Sequence, residues 1–294
     1  MLLSLYLQPL TLLEYKSQAY MIDAIIRQLD ETVAYIRKHY SNSPETGIVL
    51  GSGLGNLVSE LKVEKEIEYK DIPHFPVSTV EGHSGKMIFG TLAGKRIVAM
   101  AGRFHFYEGY SPQQVVFPIR VIWRLGIKNL LLSNAAGGMN SKYKVGDLVV
   151  IRDHISLFIQ NPLIGPNSDE LGLRFPDMSA PYDATLKAGL IQIATSLGYR
   201  VHEGVYAGVT GPTFETRAEY KLLHLLGADV VGMSTVQEVI AARHLGIRVA
   251  ALSVITDLGI REENNLITHE EVLQAAKESE PKLTAMFKAL MNEL

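Results

Sequence analysis

The sequence of 294 residues contains no cysteine. Disulfide bonds, thiolate metal sites and a cysteine nucleophile are therefore excluded, and the absence fits a reducing, cytoplasmic compartment. A strong charge of either sign is also missing, because the formal net charge is −3 and no basic block occurs. No nucleic-acid partner is therefore expected. Spacings typical of metal ligands, such as HxH, HExxH or a carboxylate cage, do not occur either, so no metal is predicted.

Long apolar runs are scarce as well. The run Met1–Leu13 is shorter than the ~20 residues that a membrane-spanning helix needs, and it lacks the positive start and cleavage site of a signal peptide. An amphipathic segment begins only after Met21. We predict that residues 1–20 are an N-terminal extension, disordered or non-native, and that residues 21–294 form one domain with no membrane partner. A weak membrane-associating segment at the N-terminus is the alternative.

Apolar strand-like segments alternate with amphipathic helix-like segments along the rest of the chain. This alternation predicts an α/β fold with a largely buried central sheet. The predicted strands are 47–50, 96–101, 129–133, 147–151, 205–209, 229–233 and 249–255. The predicted helices are 22–39, 54–61, 112–125, 184–197, 218–226, 236–245 and one from residue 269 onward, bent or broken at Pro281.

The most informative segment is Gly211–Tyr220, which reads GPTFETRAEY. Thr216 and Glu219 have the spacing of a capping box at the start of a helix. That interpretation leaves Phe214 and Glu215 without a structural role. At the carboxyl end of a strand, where α/β proteins bind ligands, a ring beside a fixed carboxylate suits a flat, nitrogen-rich ligand.

The glycine-rich segment Gly51–Gly55 (GSGLG) follows a predicted strand. Glycines let the backbone approach an anion, Ser52 adds a hydroxyl donor, and the following helix offers its N-terminus. Asn56 departs from the dinucleotide-binding pattern GxGxxG. We therefore favour a phosphate loop, with a purely structural glycine turn as the alternative.

A second segment with anion-binding chemistry is Gly102–Tyr110 (GRFHFYEGY), also after a predicted strand. Arg103 can clamp phosphate oxygens. If the segment stays extended, Arg103, His105 and Tyr107 share one face. A cation, an imidazole, a phenol and the carboxylate of Glu108 within six residues at a strand end favour a functional interpretation over a structural one.

The remaining polar clusters have structural alternatives. Residues 134–138 (NAAGG) could grip an anion through backbone N–H groups or simply allow close packing. Ser234 could donate to a ligand oxygen, with Met233 as an apolar floor for a sugar, or Ser234 or Thr235 could cap the next helix. Asp257 could cap a turn. His83 lies in an ordinary turn that matters only if it folds over the same site.

Taken together, these motifs resemble the trimeric purine nucleoside phosphorylases from about Ile22 to the C-terminus. The resemblance rests on GSGLG, HSGK, GRFHFYEGY, NAAGG, NPLIGPN, RFPDMS, GPTFET and GMSTVQEVIAARH. It implies a single-domain nucleoside-phosphorylase-like fold with a central mixed, twisted β-sheet flanked by helices. It also implies reversible phosphorolysis in purine salvage, in which a purine nucleoside and phosphate give the free base and a (deoxy)ribose 1-phosphate. Phosphate is then a co-substrate, and no cofactor is needed.

The resemblance further implies roles for individual residues. Phosphate would be bound by Ser52, His83, Arg103, His105, Ser234 and the backbone N–H of Ala135. The purine would be bound by Asn134, Phe214, Glu215 and Asp257. The ribose would be bound by Tyr107, Tyr206, Met233, His269 and Phe175, the last of which a neighbouring subunit of a homotrimer would lend. Asp257, His105 and Glu215 would be the catalytic residues.

One position departs from that family. Members that act on 6-oxopurines usually carry asparagine where this chain has Asp257. An ionised Asp257 could accept from a 6-amino group, as in the related methylthioadenosine phosphorylases, whereas a protonated Asp257 could donate to purine N7 as a general acid. Glu215 favours 6-oxopurines, because adenine lacks an N1–H.

We therefore predict inosine and guanosine as substrates, with tolerance of adenosine as a further hypothesis. A methylthioadenosine phosphorylase and a nucleoside hydrolase that uses water are the alternatives. The hydrolase alternative leaves Arg103, His105 and the glycine loop without a purpose.

Overall fold

The structure is a computed structural model that describes residues 12–77, 84–259 and 267–294. Within these ranges the chain forms nine strands: β1 Thr46–Leu50, β2 Lys62–Glu68, β3 Lys86–Leu92, β4 Lys95–Ala101, β5 Asn129–Gly138, β6 Leu148–Ile155, β7 Val201–Gly208, β8 Val230–Gly232 and β9 Arg248–Leu258. The six α-helices in the same ranges are α1 Leu12–His39, α2 Pro112–Arg124, α3 Ala184–Ser196, α4 Arg217–Leu225, α5 Val236–His244 and α6 His269–Glu293.

The nine strands form one mixed sheet in the order β2-β3-β4-β1-β5-β8-β7-β6-β9. The pairs β4–β1, β1–β5 and β5–β9 are parallel, while β2 and β3 add an antiparallel edge next to β4. The pairs β5–β8 and β6–β9 are also antiparallel. Strand β9 pairs with β6 and also with β5. The strands β5, β8, β7, β6 and β9 therefore close into a small barrel. The α/β fold with a central mixed sheet is confirmed, and the barrel closure was not predicted.

Helices cover both faces of the sheet, because the central strands are apolar on both faces. One apolar core joins α1, α2 and α5 to the sheet, and the other joins α3 and α6 to the opposite face. A smaller cluster lies under α4 and includes Met139, Tyr220 and Leu223. The sheet is thus the middle layer of three.

Several predicted boundaries change in the structure. Helix α1 begins at Leu12, upstream of Met21, while residues 1–11 lie outside the described ranges, so the start of the domain near Met21 stays a prediction. Helix α6 runs through Pro281 without a break. Strand β5 continues through the NAAGG segment to Gly138. Among the described helices, none combines the length and apolarity that a membrane crossing needs.

Candidate active site

A cavity opens at the carboxyl ends of β1 and β4, beside β5, β8 and β9. Residues from separate sequence motifs meet around it: Ser52, Arg103, His105, Tyr107, Asn134, Ala135, Phe214, Glu215, Met233, Ser234, Asp257 and His269.

Among the described residues predicted for the site, Tyr206 and Phe175 are not on the cavity wall. His83 lies outside the described residues. Tyr206 is fully buried behind the wall, where its hydroxyl accepts from the Ser234 backbone N–H at 3.4 Å. Phe175 is 87% exposed and does not reach the cavity of its own chain. Tyr206 therefore supports Ser234 from behind rather than forming the predicted pocket surface.

Arg103 is anchored at one end of the cavity by groups from two other elements. Its Nε and Nη2 donate to the Glu238 carboxylate at 3.2 and 2.9 Å, and its Nη1 donates to the Ser133 carbonyl oxygen at 2.6 Å. Both charged side chains are almost completely buried. Glu238, on α5, therefore fixes the plane of the guanidinium at the cavity wall.

His105 lies beside Arg103 and is held by Glu108. The Glu108 carboxylate accepts from the His105 backbone N–H at 2.8 Å and lies 3.0 Å from His105 Nδ1. Since a carboxylate only accepts, Nδ1 carries the hydrogen of this bond. Burial lowers the pKa of His105, against the opposing effect of Glu108. The neutral imidazole is therefore the favoured form at pH 7, with a fixed orientation.

A chain of hydrogen bonds runs from the core to Ser234. Ser253 Oγ donates to Asn134 Oδ1 at 2.6 Å, and Asn134 Nδ2 donates to Thr235 Oγ1 at 2.9 Å. The hydroxyls of Thr235 and Ser234 lie 3.1 Å apart. When Thr235 donates to Ser234, the hydrogen of Ser234 is left for an oxygen in the cavity. The Asn134 amide is thus used to position Thr235.

Thr235 has an unusual backbone conformation at this point. Its φ is 70° and its ψ is −53°, and the Val236 N–H donates to the Ser234 carbonyl at 2.7 Å. This is a γ-turn with positive φ, a strained conformation that costs on the order of 1–3 kcal/mol. Thr235 is the N-cap residue of α5, but its side chain makes no capping hydrogen bond to the helix, so the alternative of a side-chain cap does not hold for Thr235. The turn instead presents Met233 and Ser234 to the cavity.

The glycine-rich loop contributes less than predicted. Within this loop, Ser52 is the residue that lies on the cavity wall. The helix that follows is a short 3₁₀ turn, Asn56–Glu60, and its Asn56 N–H donates to the buried carboxylate of Glu280 from α6. The expectation that this helix N-terminus binds an external anion is therefore wrong, because a carboxylate of the same chain occupies it.

Two carboxylates lie at the opposite end of the cavity. Glu215 precedes the predicted capping box of Thr216 and Glu219, which is confirmed at the start of α4. Burial raises the pKa of Glu215, and the nearby charge of Asp257 acts in the same direction. Asp257 belongs to β9, where the pairing with β5 shifts by one residue after Ile255. This bulge turns both Thr256 and Asp257 toward the cavity.

The wall between the two ends combines ring and apolar surfaces. The Tyr107 ring stacks on the His105 ring with centroids 4.6 Å apart. Burial raises the pKa of Tyr107 to about 12, so its phenol stays protonated. Met233 lies opposite the Gly211 turn, where a Cβ would come within 2.3 Å of the Met233 sulfur. His269, the first residue of α6, completes this wall at its exposed end.

The sequence did not reveal which residues orient the predicted site residues, although Glu108 and Thr256 lie in polar segments that it had indicated. The orienting residues are Glu108, Tyr220, Glu238, Ser253 and Thr256. A carboxylate in the first turn of the otherwise buried helix α5 was one available signal for Glu238, because such a group needs a cationic partner.

The chain is similar to known proteins in both sequence and overall fold. Residues 45–292 match the phosphorylase superfamily. Purine nucleoside phosphorylase 1 of Bacillus subtilis is 45% identical over 264 residues, which cover 90% of this chain and 97% of that protein. Crystal structures of Schistosoma mansoni purine nucleoside phosphorylase in complex with adenosine and with inosine are 44% and 43% identical. Both have a TM-score of 0.87 and cover 92% of this chain, and 98% and 97% of their own chains.

Proposed function

The chain belongs to the phosphorylase superfamily, and we propose that it catalyses the reversible phosphorolysis of purine nucleosides. One observation carries this proposal. A single cavity has Arg103, His105 and Ser234 at one end and Phe214 and Glu215 at the other. The first end suits an oxyanion, and the second suits a flat base with N–H donors.

Phosphate is proposed to bind at the Arg103 end. Arg103 supplies the positive charge, while the hydroxyls of Ser52 and Ser234 and the backbone N–H of Ala135 supply donors. His105 is favoured as neutral with its hydrogen on Nδ1, so its Nε2 can accept from a protonated phosphate oxygen. The predicted contribution of His83 stays a prediction, since that residue lies outside the described ranges.

The reaction then needs little beyond positioning and charge. A phosphate oxygen forms a bond to C1′ of the sugar while the C1′–N9 bond breaks, and the electron pair stays on the purine. Bound phosphate stabilises the positive charge that develops on the sugar, and donors at the base stabilise the negative charge. Tyr107, Met233 and His269 are proposed to hold the ribose between these groups. No cofactor is included in this proposal.

The test is base release from inosine, guanosine, adenosine and methylthioadenosine, each with and without phosphate. We expect release from inosine and guanosine that depends on phosphate. Release that is equally fast without phosphate would mean a nucleoside hydrolase. Release from methylthioadenosine alone would instead assign the chain to the methylthioadenosine phosphorylases.

The acid limb of the pH profile should report Glu215. An ionised Glu215 is needed to accept from the N1–H of inosine, and protonation removes that acceptor. Burial raises the pKa of Glu215 above the ordinary value of 4.5; Asp257 and Glu219 face it with like charge, and the Tyr220 and Tyr206 phenols lie beside it. As pH falls through this raised pKa, kcat/KM for inosine should fall. A profile that stays flat down to pH 4.5, with the protein shown folded by circular dichroism, would contradict this role.

A homotrimer is proposed as the working assembly. Exposed apolar side chains concentrate on the loop between β6 and α3, including Leu157, Ile164, Leu173 and Phe175. Such a concentration on one loop is typical of an interaction surface. Phe175 would be lent to the ribose site of a neighbouring subunit.

A cytoplasmic location and a role in purine salvage complete the proposal and rest on the family resemblance and the lack of cysteine.

Replacing Phe175 by alanine tests the shared site. We expect KM for inosine to rise roughly tenfold, because truncating an aromatic contact at an interface costs more than about 1 kcal/mol. Leu173→Ala removes apolar surface from the same loop and serves as the control, with KM unchanged. Steady-state kinetics give KM for inosine in both variants, and their mass in solution shows whether each variant still assembles. An unchanged KM for Phe175→Ala would count against a shared site.

A further inference from the structure

Tyr220 forms the floor of the purine end of the cavity, where it bonds to one of the two carboxylates and lies close to the other. Its hydroxyl donates to Asp257 Oδ2 at 3.0 Å, and it is also within hydrogen-bonding reach of Glu215. Asp257 Oδ1 accepts from the Thr256 hydroxyl at 3.1 Å. Each oxygen of the Asp257 carboxylate therefore has a hydroxyl donor aimed at it.

Two glycines make room for this arrangement. A Cβ at Gly137 would lie 2.9 Å from the Tyr220 hydroxyl oxygen and 3.0 Å from Asp257 Oδ2. A Cβ at Gly259 would lie 2.1–2.2 Å from atoms of the Tyr220 ring. The ring of Tyr220 and the hydroxyl–carboxylate pair therefore occupy space that any other residue at either position would fill.

The protonation of the pair follows from its donors. Burial and the charges of Asp257 and Glu215 raise the pKa of Tyr220, so the phenol keeps its hydrogen. Hydroxyl donors to both oxygens favour the ionised form of a carboxylate. An ionised carboxylate accepts hydrogen bonds and cannot donate them. Asp257 held in this way matches a ligand group that carries N–H donors.

We propose that Tyr220 is a positioning residue that holds Asp257 as an acceptor for a 6-amino group, so that the site accepts 6-aminopurine nucleosides as well as 6-oxopurine nucleosides. The inference rests on the proposed phosphorolysis. Adenosine offers the 6-amino donor that inosine lacks. A protonated Glu215 can donate to N1 of adenine, and an ionised Glu215 accepts from N1–H of inosine.

The experiment compares Tyr220→Phe with the wild type on adenosine and inosine. Phenylalanine keeps the ring between Gly137 and Gly259 and removes only the hydroxyl. We expect the ratio of kcat/KM for adenosine to that for inosine to fall by about tenfold or more. The Asp257 acceptor would no longer be oriented toward the 6-amino group of adenosine, and inosine has no such group to lose. Tyr143→Phe is the control; Tyr143 is buried, its hydroxyl donates to the Glu203 carbonyl oxygen, and its loss should leave the ratio unchanged.

A double-mutant cycle with Asp257→Asn separates positioning from general packing. Asp257→Asn alone should lower the same ratio, and adding Tyr220→Phe to it should then change the ratio no further. If Tyr220→Phe lowered kcat/KM for adenosine and for inosine by the same factor, the inference would be overturned. A wild type that cleaves inosine but not adenosine would also overturn it. A wild type that cleaves neither nucleoside in phosphate would instead overturn the proposed phosphorolysis.

Discussion

Replacing Glu238 by glutamine is expected to lower the free energy of unfolding by about 3–5 kcal/mol, the usual cost of removing one partner of a buried ion pair. Arg103 is 1% exposed, and Glu238 accepts two of its N–H donors at 3.2 and 2.9 Å. Glutamine has nearly the same shape but no charge, so the guanidinium would stay buried without its counter-ion. The orientation of Arg103 would also be lost, and KM for phosphate should rise.

Glu60→Gln is the matched control for this change. Glu60 pairs with Lys288 at 2.6 Å, but both side chains are largely exposed, so its replacement should cost less than about 1 kcal/mol. Denaturant unfolding of the three proteins at one protein concentration compares the free energies. If Glu238→Gln lowered the free energy of unfolding by as little as Glu60→Gln does, the anchoring role of Glu238 would be contradicted.

Replacing Glu215 by alanine should have the largest effect on catalysis, and the effect should depend on the base. Guanosine offers Glu215 two donors, N1–H and the 2-amino group, whereas inosine offers only N1–H. Each bond to a charged group contributes about 1.5–3 kcal/mol, and about 1.4 kcal/mol is a factor of ten. We therefore expect kcat/KM to fall roughly 10- to 100-fold for inosine and about 100- to 10,000-fold for guanosine.

Glu219→Gln is the control for a carboxylate change in the same segment. Glu219 accepts from the Thr216 backbone N–H in the capping box of α4 and is exposed, so its replacement should leave kcat/KM nearly unchanged. Steady-state kinetics with both nucleosides give the comparison. A loss on Glu215→Ala that is the same for inosine and guanosine would show that the carboxylate does not contact the 2-amino group.

Local rules predicted the parts of this fold that depend on neighbouring residues. The Thr216 and Glu219 capping box is an example, because two residues three positions apart decide it. The apolar runs of β1 and β4 predicted where their strands end, and therefore which loops meet. Strand β2 was missed because its sequence, KVEKEIE, is polar and only Ile67 is buried. Strand β3 was missed along with it.

Contacts between distant residues could not be predicted in the same way. Arg103 and Glu238 are 135 residues apart, and Tyr220 and Asp257 are 37 apart. Nothing in the local sequence around any of these four residues specifies its partner. The positive φ of Thr235 is also set by tertiary contacts, since threonine has no intrinsic preference for that region. The sequence thus predicted which side chains face the cavity better than it predicted what holds them in place.

The most direct test of the account is the fate of phosphate when the wild-type protein acts on inosine. Hypoxanthine is measured by absorbance and the sugar product by ³¹P NMR in the same reaction. The account predicts that ribose 1-phosphate and hypoxanthine form in equal amounts, and that neither forms when phosphate is omitted. Free ribose with no consumption of phosphate would contradict it, because the Arg103 end of the cavity would then not supply the nucleophile.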